Sequence, residues 1–203
     1  MSSKPDNILV LAPHTDDGEL GCGGSIAKFC YEGATVWYIA FSYIPEFNNG
    51  ILKIEVQQSA DVFGINLLVK DFPVRHFTEH RQEILDFLVY INAIYPPGIV
   101  FVPARQDVHQ DHQVITDEAL RVFKHTTILG YELPWNNFAM DNTVFIPLSK
   151  SFMKKKIEAI ACYKSQINHL YMSSDIIYSL AKIRGLQIGI EYAESFTVFR
   201  WIL

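Results

Sequence analysis

The sequence predicts an α/β chain of Rossmann-like, three-layer architecture, with a mostly parallel central sheet flanked by helices. Three observations carry this. Short unbroken apolar runs, the first at residues 8–12, have the character of strands buried on both faces. They alternate with longer amphipathic stretches, the pattern of βαβ units with right-handed crossovers. Polar clusters directly follow two of the runs, and ligands of open α/β sheets bind beyond the carboxyl ends of strands.

The elements follow in order. The strand at 8–12 ends in the loop Pro13-His14-Thr15-Asp16-Asp17. A Gly-rich, amphipathic stretch runs to about residue 31, Gly33 stops it, and a strand is expected at 35–41. A helix at 52–63 ends at Gly64, a strand occupies 66–69, and a long helix covers 79–95. Pro96-Pro97-Gly98 then introduces a strand at 99–102. Beyond it come a helix at 111–123, strands at 127–132 and 143–147, helices at 150–163 and 174–185, and a closing strand at 194–200. No repeat, linker or low-complexity segment interrupts the alternation, so a single domain spanning 1–203 is expected.

A chain of 203 residues buries roughly 70 % of its unfolded surface. Its 49 % hydrophobic and 19 % charged residues exclude a disordered polypeptide. Lys and Arg total 17 against 22 Asp and Glu, a net charge of −5 that excludes nucleic acid as the expected partner. The one basic run, Lys154-Lys155-Lys156, reads as a solvated helix face. Cys22, Cys30 and Cys162 form no CxxC pair, so neither a disulfide framework nor a cysteine zinc knuckle is expected. The segment from Met1 to Asn7 is polar without a signal pattern, and no apolar run approaches the ~20 residues of a membrane span. A cytoplasmic protein is the expectation; a homo-oligomer is compatible but not signalled.

The clusters are His14-Thr15-Asp16-Asp17 and Asp107-Val108-His109-Gln110-Asp111-His112. Together they offer imidazoles and carboxylates, and a catalytic zinc takes three such ligands with a fourth position open to water. Adjacent Asp16 and Asp17 do not both point at one metal from an extended loop, which divides their labour: one binds and one acts as base. His109 and His112, three apart at a helix start, can serve one site in different roles. Helix capping alone would account for Asp16 or Asp111 but leaves the histidines unexplained. The segment Tyr131 to Phe138 mixes aromatic and amide groups after a strand, which suits a sugar, so Tyr131, Glu132 and Trp135 are candidate substrate contacts. Arg105, just past the fourth strand, is a candidate for an anionic part of the substrate.

Two competing motifs are weaker. Gly21-Cys22-Gly23-Gly24 lacks the G-x-G-x-x-G spacing, and Phe41-Ser42-Tyr43 stands where a nucleotide-binding strand would end in an acid, so helix–sheet packing is expected instead. His76-Phe77-Thr78-Glu79-His80 fits the H-x-x-E-H pattern of a class of zinc peptidases, but Phe72-Pro73-Val74 before it points to a loop entering a helix.

The segment Pro13-His14-Thr15-Asp16-Asp17-Gly18-Glu19-Leu20-Gly21-Cys22-Gly23-Gly24 resembles the signature of the PIG-L/LmbE-like N-acetylglucosaminyl deacetylases, and His109-Gln110-Asp111-His112 resembles their downstream motif. Glu55, Tyr131-Glu132, Lys156, Tyr163-Lys164-Ser165-Gln166 and Tyr192-Ala193-Glu194-Ser195-Phe196 extend the resemblance over almost the whole chain. It implies that His14, Asp17 and His112 bind zinc, that Asp16 is the general base, that His109 assists as acid or oxyanion stabiliser, and that Asp111 orients His109. Thr15, Gly18 and Leu52 depart from the usual Pro, acid and Arg. The implied reaction is zinc-dependent hydrolysis of the N-acetyl group of an amino sugar; Asp16 or His109 protonates the departing amine. Iron, cobalt or nickel would also suit these ligands. The alternatives are a metal-dependent hydrolase of non-sugar amides and an inactive carbohydrate-binding relative.

Overall fold

A computed structural model describes residues 6–202, so the polar terminus read from sequence lies, for Met1 to Pro5, outside the described residues. The strands are β1 (Asn7–His14), β2 (Thr35–Ser42), β3 (Asn66–Val69), β4 (Ile99–Pro103), β5 (Thr127–Tyr131), β6 (Val144–Leu148) and β7 (Tyr192–Arg200). The helices are α1 (Asp17–Tyr31), α2 (Ile51–Phe63), α3 (Arg81–Ile94), α4 (Gln110–Val122), α5 (Lys150–Ile160) and α6 (Ser174–Gln187).

One seven-stranded sheet has the order β3-β2-β1-β4-β5-β7-β6. All neighbours pair parallel except β7, which runs antiparallel to both β5 and β6. The fold is therefore the mostly parallel α/β architecture expected from the sequence. The period-two alternation of the buried strands feeds a core on each face. Ile8, Val10, Ala12, Val36 and Tyr38 face the layer of α1, α2, α5 and α6, whereas Leu9, Leu11, Ile39, Phe41 and Val102 face α3 and α4. Each Val, Leu, Ile or Phe side chain among them contributes about 1.5–3 kcal/mol on full burial.

The connectivity fixes where a ligand can sit. From β1 the chain steps outward through β2 and β3, then crosses back to β4 on the other side of β1, in register Ile8 to Ile99 and Val10 to Phe101. This is the switch point where the loops after adjacent strands diverge and leave a crevice. Both polar clusters of the sequence lie at that crevice.

Several boundaries differ from the sequence reading. α3 starts at Arg81 rather than 79, because residues 76–80 form turns stapled by exposed His76–Glu79 and His80–Glu83 pairs at 2.8 and 2.9 Å. The H-x-x-E-H residues are thus a solvated helix entry. α5 ends at Ile160, after which Tyr163 turns inward, buried, and its hydroxyl donates to the Thr15 carbonyl at 2.6 Å.

The Gly-rich segment is itself the first half of α1, and its backbone leaves helical geometry at Cys22 (φ −141°, ψ 22°). A Cβ on Gly21 would lie 2.3 Å from the Tyr131 ring, so the glycine permits close approach of helix to sheet. Two long-range side chains satisfy the broken turn. Lys156 donates to the Leu20 carbonyl at 2.7 Å, and the Glu194 carboxylate accepts the Gly24 and Ser25 amides at 2.9 and 2.7 Å. Lys156 and Glu194 also pair directly at 2.7 Å.

Candidate metal centre and active site

β1 delivers His14 at its carboxyl end, and the chain turns at once into α1, whose first residue is Asp17. The turn is held by the His14 amide donating to Asp17 Oδ2 at 2.8 Å. From β4, Asp107 caps the next turn by accepting the His109 amide at 2.8 Å, and the first turn of α4 brings His112 to the crevice.

Three atoms converge there. His14 Nδ1 lies 3.1 Å from Asp17 Oδ2, His112 Nε2 lies 3.2 Å from the same oxygen, and the two nitrogens are 3.2 Å apart. Ligands about 2.0–2.2 Å from a tetrahedral zinc lie about 3.4 Å from one another, so this nearly equilateral triangle fits the face of such a site. His109 stands close by, since one ring nitrogen from each of His14, His109 and His112 fits within 4.8 Å.

Each triangle imidazole is held from behind by a carboxylate. His14 Nε2 meets Asp111 Oδ2 at 3.2 Å, and His112 Nδ1 meets Asp107 Oδ2 at 2.7 Å. This is the outer arrangement that fixes the tautomer and orientation of a metal-binding histidine. Burial alone would lower the His14 pKa, but Asp111 and Asp17 overcome it and raise it to about 9. Burial likewise opposes protonation of His112, yet Asp17 and Asp107 raise it to about 10. Burial would raise Asp17, and the two imidazoles reverse that and hold it well below the ordinary carboxylate range. The crevice is thus built to hold positive charge.

Asp16 sits at the start of α1 but makes no capping hydrogen bond and lines the cavity instead. Burial, with the charges of Asp17 and Glu19, raises its pKa to about 7. The carbonyl of Thr15, immediately before it, accepts from the hydroxyls of Tyr38 and Tyr163, and Gly18 lies against the Tyr38 ring with no room for a side chain. His109 caps α4: its Nδ1 accepts the Asp111 amide at 3.2 Å, which assigns the proton of the neutral ring to Nε2. Its pKa is lowered, first by burial and then by His112 and His14.

A cavity of ≈ 380 Å³ opens over these groups, walled by Trp135, Asn136, Gln166 and Tyr171. Trp135 stacks on Tyr171 at 4.4 Å, and His169 stacks on Tyr171 at 5.0 Å. The other sequence candidates lie elsewhere. Tyr131 is a core residue whose hydroxyl donates to the Leu11 carbonyl at 3.0 Å. Glu132 pairs with Arg184 and accepts from Ser195 at 3.3 Å, behind the cavity wall. Arg105 turns outward, its guanidinium 5.4 Å from the Phe199 ring centroid. The Asp111 carboxylate reaches His14 rather than His109. Asp107, which the sequence placed in the cluster without a role, is the partner of His112.

The family description GlcNAc-PI de-N-acetylase, PIG-L, matches residues 9–123, a span that includes every residue of the triangle. The chain belongs to the PIG-L family. PIG-L proteins are deacetylases, and this chain is 25% identical over 180 residues to the uncharacterized deacetylase YaiS of Escherichia coli (strain K12), covering 81% of this chain and 94% of that one. The PIG-L fold is shared with N,N'-diacetylchitobiose deacetylase from Pyrococcus horikoshii at TM-score 0.75 and 19% identity, over 97% of this chain and 84% of that one. It is shared equally with GalB, the 4-carboxy-2-hydroxymuconate hydratase of Pseudomonas putida KT2440, at TM-score 0.82 and 19% identity, over 98% of each chain. Such likenesses show the PIG-L fold and leave the reaction to the site. Among the described residues no helix is long and apolar enough to cross a membrane.

Proposed function

We propose that the protein hydrolyses the N-acetyl group of an N-acetylated amino sugar, releasing acetate, with zinc held by His14, Asp17 and His112. The observation that carries this is the triangle of donor atoms at 3.1–3.2 Å beside the cavity-facing Asp16. His109 completes an alternative triad, but its Nδ1 is engaged by the Asp111 amide, so it is assigned to chemistry rather than to the metal. Two imidazoles and a carboxylate suit zinc and also accept iron, cobalt or nickel.

Bound zinc would lower the pKa of water toward ~7 and polarise the amide carbonyl. The chain's own residues do the rest. Asp16, whose pKa burial and the neighbouring Asp17 and Glu19 raise to about 7, accepts the proton of the attacking water. His109, which lines the cavity and carries its proton on Nε2, donates to the oxyanion as the carbonyl becomes tetrahedral. The leaving amine takes its proton from whichever of Asp16 and His109 then carries one. Asp111 and Asp107 keep the ligand imidazoles aligned throughout. The Trp135–Tyr171 stack supports the sugar's apolar face, and the Asn136 and Gln166 amides are placed for its hydroxyls. The free Cys22, Cys30 and Cys162 support a cytoplasmic setting.

Acetate release from a panel of N-acetylated sugars tests the reading, using purified, chelated and zinc-restored protein. Release should vanish on chelation and return with zinc, and Asp16→Asn should lower kcat roughly 10²- to 10⁴-fold while zinc stays bound. Release only from non-sugar amides would assign the alternative substrate class. Sugar binding without release from zinc-loaded protein would assign an inactive relative.

A further inference from the structure

We propose that Arg75 selects amino sugars that carry an oxyanion, a phosphate or a carboxylate, on the sugar or its substituent. This rests on the amino-sugar reading above and narrows its substrate class.

Arg75 is the one Arg or Lys among the described residues that line the catalytic cavity. Its backbone lies at φ +69°, a region that favours glycine, so local conformational preference does not explain an arginine there. The backbone is nevertheless fastened into the site. Its amide donates to Asp111 Oδ2 at 2.7 Å, the same oxygen that meets His14, and its carbonyl accepts from the Gln110 side chain at 2.7 Å. The residue is thus held one hydrogen-bonded carboxylate away from the ligand triangle.

Its guanidinium stands apart from those of the other arginines. Arg81 and Arg121 bond Glu118, Arg184 bonds Glu132, Arg200 donates to the Phe123 carbonyl, and Arg105 lies over Phe199. The Arg75 side chain is exposed, and its guanidinium has no hydrogen bond or ion pair among the described residues. A planar fork of donors on a residue that lines the cavity matches a carboxylate or phosphate in two-point fashion. An anionic substituent would meet Arg75 at the cavity lining while the uncharged acetamide occupies the centre.

The test compares zinc-loaded wild-type, Arg75→Gln and Arg75→Lys proteins on N-acetylglucosamine, N-acetylglucosamine 6-phosphate and N-acetylmuramic acid. The last two separate phosphate from carboxylate. Calorimetric binding of glucosamine and glucosamine 6-phosphate to the same proteins reads the contact without turnover. Wild type should favour one anionic substrate over the neutral sugar by about tenfold in kcat/KM; Arg75→Gln should erase that ratio through KM, and Arg75→Lys should retain part of it. Arg75→Gly, which suits the backbone angle, serves the same purpose if the glutamine variant folds poorly. Equal anionic-to-neutral ratios in wild type and variants, in turnover and in binding, would overturn the proposal. If no sugar releases acetate, the deacetylase reading fails, while the two binding ratios still decide for or against Arg75.

Discussion

Helix α1 runs through two buried charged clusters that are built on opposite plans. At its break, Glu194 accepts the amides of Gly24 and Ser25, the Ser25 hydroxyl and the Lys156 ammonium, and Lys156 also serves the Leu20 carbonyl. Every charge there closes on groups of the chain itself. At its N-terminus, two imidazole nitrogens crowd one oxygen of Asp17, and the pKa values of about 9 and about 10 at His14 and His112 are those of a site that favours positive charge. A closed cluster can only hold the fold together, at a desolvation cost its pairing must offset. A convergent cluster with an open cavity in front of it can bind and react.

The largest expected effect breaks the convergent cluster. His112→Ala should lose stoichiometric zinc and lower acetate release roughly 10³-fold or more, since a catalytic metal contributes several kcal/mol to the transition state. Metal analysis and turnover read the two. Lys156→Met should do the reverse. It leaves a buried carboxylate and a carbonyl without their cation, costing roughly 3–5 kcal/mol and lowering Tm by about 10 °C for a chain of this size. Zinc content should remain near one per chain. If Lys156→Met instead lost zinc at unchanged Tm, the division between the two plans would be wrong.

The contrast also explains what the sequence could and could not reveal. Strand ends and polar loops are local signals, so the order of elements, the Gly33 and Gly64 stops and the clusters at His14 and His109 are readable from neighbours alone. The break in α1 is not, because the groups that satisfy it come from α5 and β7, with Glu194 170 positions from Gly24. Tyr131 and Glu132 carried the chemistry of a sugar contact, but close packing against Gly21 turns the first into the core, and Arg184 claims the second. Arg105 followed a strand, as a site residue should, yet its loop sends it to Phe199. Arg75 reaches the cavity through a left-handed backbone angle inside an irregular loop, and no periodicity announces such a position. Asp107 lay in a cluster already noticed; its pairing with His112 required the entry geometry of α4.

Smaller effects sharpen the boundary between holding the metal and holding the substrate. Asp107→Asn keeps an oxygen to accept from His112 Nδ1–H but loses the negative charge behind the imidazole. Zinc affinity should fall about 10- to 100-fold in a chelator competition, with kcat of the saturated enzyme recovering as zinc is raised. A kcat that stayed depressed at saturating zinc would place Asp107 in the chemistry rather than behind it.

Trp135→Ala is expected to have the smallest effect, because the ring touches neither the triangle nor the carboxylates behind it. It removes one half of a stacked pair, and an aromatic contact of this kind contributes about 0.5–1.5 kcal/mol. KM for the sugar should therefore rise about 3- to 10-fold with kcat changed less than about twofold, the signature of binding shared equally by ground and transition states. Were kcat to fall at constant KM, the indole would be keeping water from the reacting amide, and the cavity wall would belong to the convergent cluster and not merely stand beside it.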